Sequence, residues 1–365
     1  MRKIFQSEKL RLYFESNLFS RYFVRRQALQ TFDLMAGFVY SQILLSCVKL
    51  NLFSFLIDEP KHLDTLSKFL NLDKPQFDCL INGACAIGLI EQDNNFLVDL
   101  SLKGHIFAHN KGLTALILHH EIFYRDLTEP VTFLKNNDVE TSLNKYWDYT
   151  ERKGCDVYNI STNKNENAKR YSELMSISQP LVTDQVFSAY NFDRHSSILD
   201  VGGGKASFSI RIAKIFPRLK VIANLDLPNV CEEAEKNIAT ENLSKRIRVI
   251  PSNFFEEEIP HGYDLVTLIR VLYDHSEENV VKLLKSIRGS LSDGGRLLVA
   301  EPMAASTKSR ISCDAYFWFY LTVMGKGKPR RAEELIELMR MSGFSKARCL
   351  KATLPIQTGI ILAEA

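Results

Sequence analysis

Between residue 30 and about residue 107, apolar positions recur at helical spacing with short polar breaks. Residues 32–45 read as one strongly apolar helix, and 63–70 and 75–89 as two short helices joined by a turn at 71–74. Residues 89–98 then read as two strand-like pieces around a polar turn. Helix, turn, helix and hairpin in that order make a winged-helix pattern. Residues 108–190 continue mostly helical, with a polar loop at 159–167 and Pro180 as a kink or restart in the helix 168–190.

From Ser197 the pattern changes to short apolar strands alternating with amphipathic helices. Strands are expected at 197–201, 221–225, 247–250, 265–269 and 296–300, and helices at 206–216, 230–241, 279–291, 314–324 and 332–342. Residues 347–352 and 359–364 read as closing strands. Such alternation with short connections predicts an α/β fold, a Rossmann-like doubly wound parallel sheet. Three regions follow: a basic helical arm at 1–30, a helical winged-helix domain at 31–190, and a sheet domain at 191–365.

The 365 residues suit two domains, and 45% hydrophobic with 24% charged residues is an ordinary globular balance. A net charge of +3 supplies no field for nucleic acid, and the second helix of the winged-helix pattern has no basic reading face. That pattern is therefore expected to serve as a dimerisation scaffold and a pocket wall. The seven cysteines are scattered, without a CxxC pair or a Cys/His cluster of metal spacing, so reduced thiols, a cytoplasmic location and no metal are expected. The N-terminus lacks the apolar core of a signal peptide. The apolar stretch 34–57 is broken by Gln42, Lys49 and Asn51, a poor membrane span. Residues 1–26 carry Arg2, Lys3, Lys9, Arg11, Arg21, Arg25 and Arg26 among aromatics. Such an arm suits either an anionic membrane surface or a partner subunit.

Candidate chemistry sits at the ends of the strands. Asp200-Val201-Gly202-Gly203-Gly204 closes the first strand and leads into a helix, where glycines let a ligand approach the backbone. A dinucleotide loop would place a third glycine where Ser207 stands. Asp200 at the strand end instead suits the ammonium group of a methionine moiety. Asp226, following the second strand, stands where an acidic residue binds ribose hydroxyls, and it also suits a helix cap. Asn253 and Phe254 follow the third strand, where an adenine would be gripped.

These motifs carry a resemblance. Leu199–Gly204, Asp226-Leu227-Pro228, Arg270-Val271-Leu272-Tyr273-Asp274 and Gly294–Pro302 resemble the small-molecule O-methyltransferase family that includes caffeate-type and hydroxyindole-type enzymes. That resemblance covers nearly the whole chain. It implies the seven-stranded methyltransferase fold, a homodimer, and S-adenosyl-L-methionine as donor with S-adenosyl-L-homocysteine as product. It also adds Leu227 and Arg270 to the cofactor set. A closer similarity, to the carotenoid O-methyltransferases of photosynthetic bacteria of the demethylspheroidene (hydroxyneurosporene) kind, lies in 32–42, 178–186, 270–275, 314–320 and 325–330. It implies methylation of the tertiary C-1 hydroxyl of an acyclic carotenoid, a lipophilic substrate reached at or near a membrane. Tyr316, Phe317 and Tyr320 are then expected to line an apolar channel, with Phe32, Met35, Phe38 and Phe123 opposite.

The pattern departs from the broad family at the general base. Tyr273 occupies the histidine position, and a neutral phenol with a pKa of about 10 is a poor proton acceptor. His275 lies two residues on. Glu301 matches the first base-orienting glutamate of the family, and Pro329 replaces the second. The expectation is that Tyr273 orients the hydroxyl while His275 or Glu301 receives the proton. A phenol or polyketide acceptor, and a non-catalytic regulator on the same fold, stay open.

Overall fold

The computed structural model describes residues 18–135, 141–146, 173–304, 311–325, 327–352 and 358–365. Most of the basic arm and the polar loop expected at 159–167 lie outside these residues. The chain divides into two compact units, Met1–Leu118 and His119–Ala365.

The first unit begins with α1, Leu18–Lys49, longer than the expected 32–45 because its flanks are Arg, Gln, Ala and Leu, good helix formers. By length and composition, Tyr22–Lys49 meets the requirement for a membrane span. Helix α1 packs on α2 (Leu52–Leu56), and Cys47 and Val48 near its end are buried. Strand β1 (Lys61–His62) was not expected. It precedes α3 (Leu63–Leu70) and α4 (Lys74–Ala86), which are followed by β2 (Ile90–Gln92) and β3 (Leu97–Leu100). The three strands form an antiparallel sheet in the order β1-β3-β2. Helix α4 lies close against α1: a Cβ at Gly83 would stand 3.0 Å from Ile43 Cδ1. Helix α5 (Leu102–His109) starts at Ser101, whose hydroxyl accepts the Gly104 N–H. Helix α6 (Lys111–Asp126) carries the chain across the division between units.

The second unit holds α7 (Pro130–Lys135), α8 (Ser142–Tyr146) and α9 (Pro180–Ala189). Pro180 restarts the helix after a turn at Gln179. Then come β4 (Ser197–Val201), α10 (Ser207–Ile215), β5 (Val221–Asp226), α11 (Pro228–Thr240), β6 (Ile247–Pro251) and β7 (Leu265–Ile269). A 3₁₀ turn at Leu272–Asp274 leads to α12 (Glu277–Ser290) and β8 (Arg296–Glu301). A π-helical segment at Ile311–Phe317 runs into α13 (Trp318–Met324). Helix α14 (Ala332–Met341), β9 (Lys346–Leu350) and β10 (Gly359–Glu364) end the chain.

The sheet order is β6-β5-β4-β7-β8-β10-β9. The expected parallel sheet holds for the first five of these. Strand β10 runs antiparallel to both its neighbours, because it arrives from β9 by a short return and not by a helical crossover. Period-two alternation divides the core. Leu199, Val201, Leu297, Val299, Ile361 and Ala363 pack on one face with α12 and α14. Ile198, Ile222, Leu298, Ala300, Ile360 and Leu362 pack on the other with α9, α10 and α11. A sheet buried on both faces places its loops at the strand ends, and those at the C-terminal ends form the functional edge.

Candidate active site

Three buried polar residues stand in a row across the central strands. Asp200 pairs in register with Asn224 on β5 and Thr267 on β7, so all three point to the same face of the sheet. The Thr267 hydroxyl donates to Asp200 Oδ1 at 2.7 Å, and Asn224 Nδ2 donates to the Gly204 carbonyl at 3.2 Å. Asp200 Oδ2 is buried with no hydrogen-bond partner. Burial pushes the Asp200 carboxyl up to about 7, and the charge of Asp226 adds to the rise. Gly202 and Gly204 take φ of +70° and +56°, which glycine adopts without strain. A Cβ at Gly203 would fall 2.1 Å from Asn224 Oδ1. The loop is therefore a cradle of bare backbone above an unsatisfied acidic oxygen.

Asp226 holds the loop's far side. Its Oδ2 accepts the Gly204 N–H at 2.7 Å and its Oδ1 accepts the Leu227 N–H at 2.8 Å, so it tethers the loop; helix α11 starts from Leu227 without a side-chain cap, and the expected capping role of Asp226 is not seen. Each oxygen keeps a second lone pair for a ligand hydroxyl. Asn253 Oδ1 accepts the Phe255 N–H at 3.1 Å in a local turn, and Phe254 Cε1 lies 3.8 Å from where a Gly202 Cβ would be. The Arg270 guanidinium does not point into the loop. It donates to Ser178 Oγ (2.9 Å), the Met175 carbonyl (2.6 Å) and Gln179 Oε1, tying down the segment before α9 from a backbone φ of +59°.

The turn after β7 is clamped from two sides. Glu301, fully buried, accepts the N–H groups of Leu272 (2.9 Å) and Tyr273 (3.2 Å) through Oε2. Arg330, 1% exposed, donates to the carbonyls of Leu272 (2.9 Å) and His275 (2.7 Å). Burial pushes the Glu301 carboxyl up to about 8, against the opposing pull of Arg330 and the two N–H groups. Glu301 thus grips the backbone of Tyr273, and its other oxygen has no partner. His275 is buried with its ring edge-on to Phe254 (centroids 6.1 Å apart) and Phe255 (4.9 Å).

Tyr273 instead belongs to an aromatic cluster with Phe123, Phe133, Leu143, Tyr320 and Met324, against which Tyr316 packs. Phe123 meets Tyr316 and Tyr320 edge-on, at 6.1 and 5.4 Å. Phe317 is half-buried against Tyr316. Two histidines of α6 complete the group: His119 Nε2 lies 2.8 Å from Tyr320 Oη, and His120 Nε2 lies 2.7 Å from Tyr316 Oη. Burial lowers both imidazoles, His119 to about 4. Phe32, Met35 and Phe38, expected as an opposing wall, stand 54, 65 and 73% exposed on α1.

A glycine cradle above an unsatisfied acidic oxygen, at the C-terminal edge of a doubly wound sheet, defines a protein built to hold a nucleoside-bearing cofactor. Residues 124–345 match the O-methyltransferase domain family, and the chain belongs to that family of S-adenosylmethionine-dependent enzymes. It is 33% identical over 363 residues to a demethylspheroidene O-methyltransferase from Rhodobacter capsulatus, covering 99% of this chain and 88% of the relative. A second enzyme of that name, from Cereibacter sphaeroides, is 32% identical over 98% of this chain and 92% of its own. Among solved structures, human N-acetylserotonin methyltransferase in complex with SAM superposes with TM-score 0.75 at 17% identity, over 93% of this chain and 97% of that one. The pyocyanin biosynthetic protein PhzM superposes with TM-score 0.77 at 19% identity, over 93% and 99%. These likenesses show the fold.

The residues present fit the donor. The partnerless Asp200 oxygen suits its ammonium group, and the cradle a Gly203 Cβ would fill leaves room for it. When bound, the donor supplies an electrophilic methyl on a sulfonium. Reading the sequence missed Asn224, Thr267, Arg330, His119 and His120 as site residues. Asn224 and Thr267 left a signal, each a polar interruption of an apolar strand.

Proposed function

We propose that this enzyme methylates the tertiary C-1 hydroxyl of an acyclic carotenoid. The observation that carries this reading is similarity of 32–33% over nearly the entire chain to two demethylspheroidene O-methyltransferases. Relatives named for aromatic acceptors, such as the 3-hydroxy-5-methyl-1-naphthoate enzyme of Streptomyces sahachiroi at 23%, are more distant. Tyr273 agrees with it, since an aliphatic alcohol is not ionised in advance by a base and is aligned instead within a dry pocket. In this reading Asp200, Gly202, Gly203 and Gly204 hold the amino-acid end of the donor, Asp226 and Leu227 the ribose, and Asn253 and Phe254 the adenine. Tyr273, Phe123, Tyr316, Phe317 and Tyr320 surround the acceptor. His275 flanks the adenine side, and Arg270 and Glu301 support the walls. Labelled donor offered with hydroxyneurosporene and, separately, with a simple phenol tests the reading. Label in the carotenoid ether alone is expected; label in the phenol alone would replace it.

The same reading makes the helix–turn–helix and hairpin of the first unit a winged-helix scaffold for a homodimer, with no nucleic-acid role. A second copy is to cover Phe32, Leu34, Met35 and Phe38 on α1, exposed apolar residues that a single chain leaves in water. Light scattering of Leu34→Glu should show monomer where the parent shows dimer. The enzyme is placed in the cytoplasm, touching the membrane that holds its substrate through residues 1–26. Liposome flotation with and without those residues tests that contact.

A further inference from the structure

Tyr273 leaves the reaction without the usual imidazole, yet two imidazoles stand in the same aromatic cluster. They are on α6, one turn before Phe123, and neither belongs to a motif that carries the family resemblance. His119 and its partner Tyr320 are both 8% exposed, sealed in the cluster. His120 and Tyr316 are half-buried, and they are 2.7 Å apart. The Tyr316 ring stacks on Tyr320 (6.0 Å) and meets Phe123 edge-on, so its hydroxyl is fixed in place by packing on three sides. Sequence alone could not pair these groups, since 196 positions separate His120 from Tyr316.

We propose that Tyr316 receives the proton of the reacting hydroxyl and passes its own to His120. This rests on the alcohol acceptor proposed above. The balance is simple. As the substrate oxygen gains its new bond to the methyl carbon, its O–H bond breaks and that proton goes to Tyr316 Oη. The former Tyr316 hydroxyl proton moves to His120 Nε2, leaving neutral tyrosine and an imidazolium that returns its proton to water. No free phenolate forms, which matters because burial and the nearby Tyr124 push the Tyr316 hydroxyl well above the ordinary tyrosine range. A relay avoids that species, whereas Tyr316 or Tyr273 acting alone as a base would require it. The titratable groups around His120 are His119 and Tyr124 on its own helix and Tyr316 facing it. Burial lowers the His120 imidazole, so it is neutral and ready to accept at neutral pH. Tyr316 is the catalytic group in this scheme; His120 is a positioning residue that acts through it.

The test compares wild type, Tyr316→Phe, His120→Gln and, as a control in another buried tyrosine–histidine pair that no part of the site uses, Tyr190→Phe. Homocysteine-product binding checks that each variant is folded with an intact donor site. With hydroxyneurosporene as acceptor, Tyr316→Phe and His120→Gln should each lose about 10²–10⁴-fold in kcat. KM for the donor should be unchanged, and Tyr190→Phe should lose far less. Wild-type kcat should fall on the acid side as His120 protonates, and His120→Gln should lack that limb. A readout independent of turnover is the tautomer: long-range ¹H–¹⁵N spectra should show His120 Nε2 unprotonated and Nδ1 carrying the hydrogen. A wild type that methylates the carotenoid with Tyr316→Phe and His120→Gln equally fast would overturn the relay. So would an Nε2 that carries the proton at neutral pH. A wild type inert toward the carotenoid but active on a phenol would remove the substrate reading instead.

Discussion

Replacing Gly203 by alanine tests the donor site at its tightest point. The added Cβ would meet Asn224 Oδ1 at 2.1 Å, Asn224 Cγ at 2.8 Å and Asp200 Oδ2 at 2.8 Å. Ordinary carbon contacts begin near 3.4 Å, so the loop or Asn224 must retreat by roughly 1 Å. Asn224 is fully buried, bonded to the Gly204 carbonyl and to Ser209 Oγ, and has nowhere to go. Forcing extra volume into such a site costs about 1–3 kcal/mol. If the loop takes the strain, affinity for S-adenosylhomocysteine falls about 5- to 150-fold, at about 1.4 kcal/mol per factor of ten. Gly204→Ala isolates the backbone contribution: nothing lies within 4 Å of its added Cβ, but φ is +56°. Its cost is about 1–2 kcal/mol of left-handed strain alone. Gly289→Ala, in α12 with open space around it, should stabilise by about 0.5–1 kcal/mol and leave binding untouched. Calorimetric titration and thermal melts on the three variants measure the series. Gly203→Ala binding within twofold of wild type would refute the assignment of the loop to the donor.

Other perturbations probe the clamp and the fold. Arg330→Met removes both donors to the Leu272–His275 turn and leaves those two carbonyls without their guanidinium partner, so urea unfolding should show a loss of about 1–3 kcal/mol for each. Glu301 titrates near 8 when folded against an ordinary 4.5, so its favourable contribution is complete below 4.5 and is lost as pH rises through 8. Glu301→Gln should therefore flatten the fall in Tm between pH 5 and 8.5, and an unchanged slope would count against this account. His195, buried between Tyr190 Oη (2.6 Å) and Asp264 (3.2 Å), is lowered mainly by burial. Its contribution is complete above about 6.5 and is lost as pH falls. His195→Asn should lower Tm at pH 7.5 yet show a shallower decline toward pH 5.5.

Much of the architecture was legible because period-two and period-3.6 patterns are local. The strands from Ser197 to Glu301 and the helices between them follow directly from that spacing. Strand β1 was hidden because two residues cannot show a period. The reversal of β10 was hidden because an apolar run carries no direction. The positions of Asp200, the glycines and Asp226 at strand ends could be read from the sequence. That Asp226 holds the Gly204 N–H could not, since the fold alone brings that loop, 22 positions earlier, against it. The five consecutive residues Tyr316 to Tyr320 cover every face of a helix, so no periodicity chooses among them. The structure does: Tyr320 is buried and Tyr316 turns toward His120, while Trp318 and Phe319 are 45 and 41% exposed.

The clamp explains how the family's histidine can be absent without loss of the turn that carried it. Glu301 and Arg330 bind only main-chain atoms between Leu272 and His275, two N–H groups and two carbonyls. The conformation of that turn is thus set independently of the side chain at position 273. The distant 327–328 segment adds to the clamp through its main chain, the Lys328 N–H donating to the Tyr273 carbonyl at 2.9 Å, and Gly327 passes so close that a Cβ there would lie 2.0 Å from that carbonyl. Position 273 can then exchange imidazole for phenol at the cost of one reactive group and not of the scaffold. The proposed donor site, with its polar row on β4, β5 and β7, shares no side chain with this exchange. Acceptor chemistry is therefore free to move to another part of the aromatic cluster, and His120 with Tyr316 is the pair there that holds an imidazole against a half-buried hydroxyl.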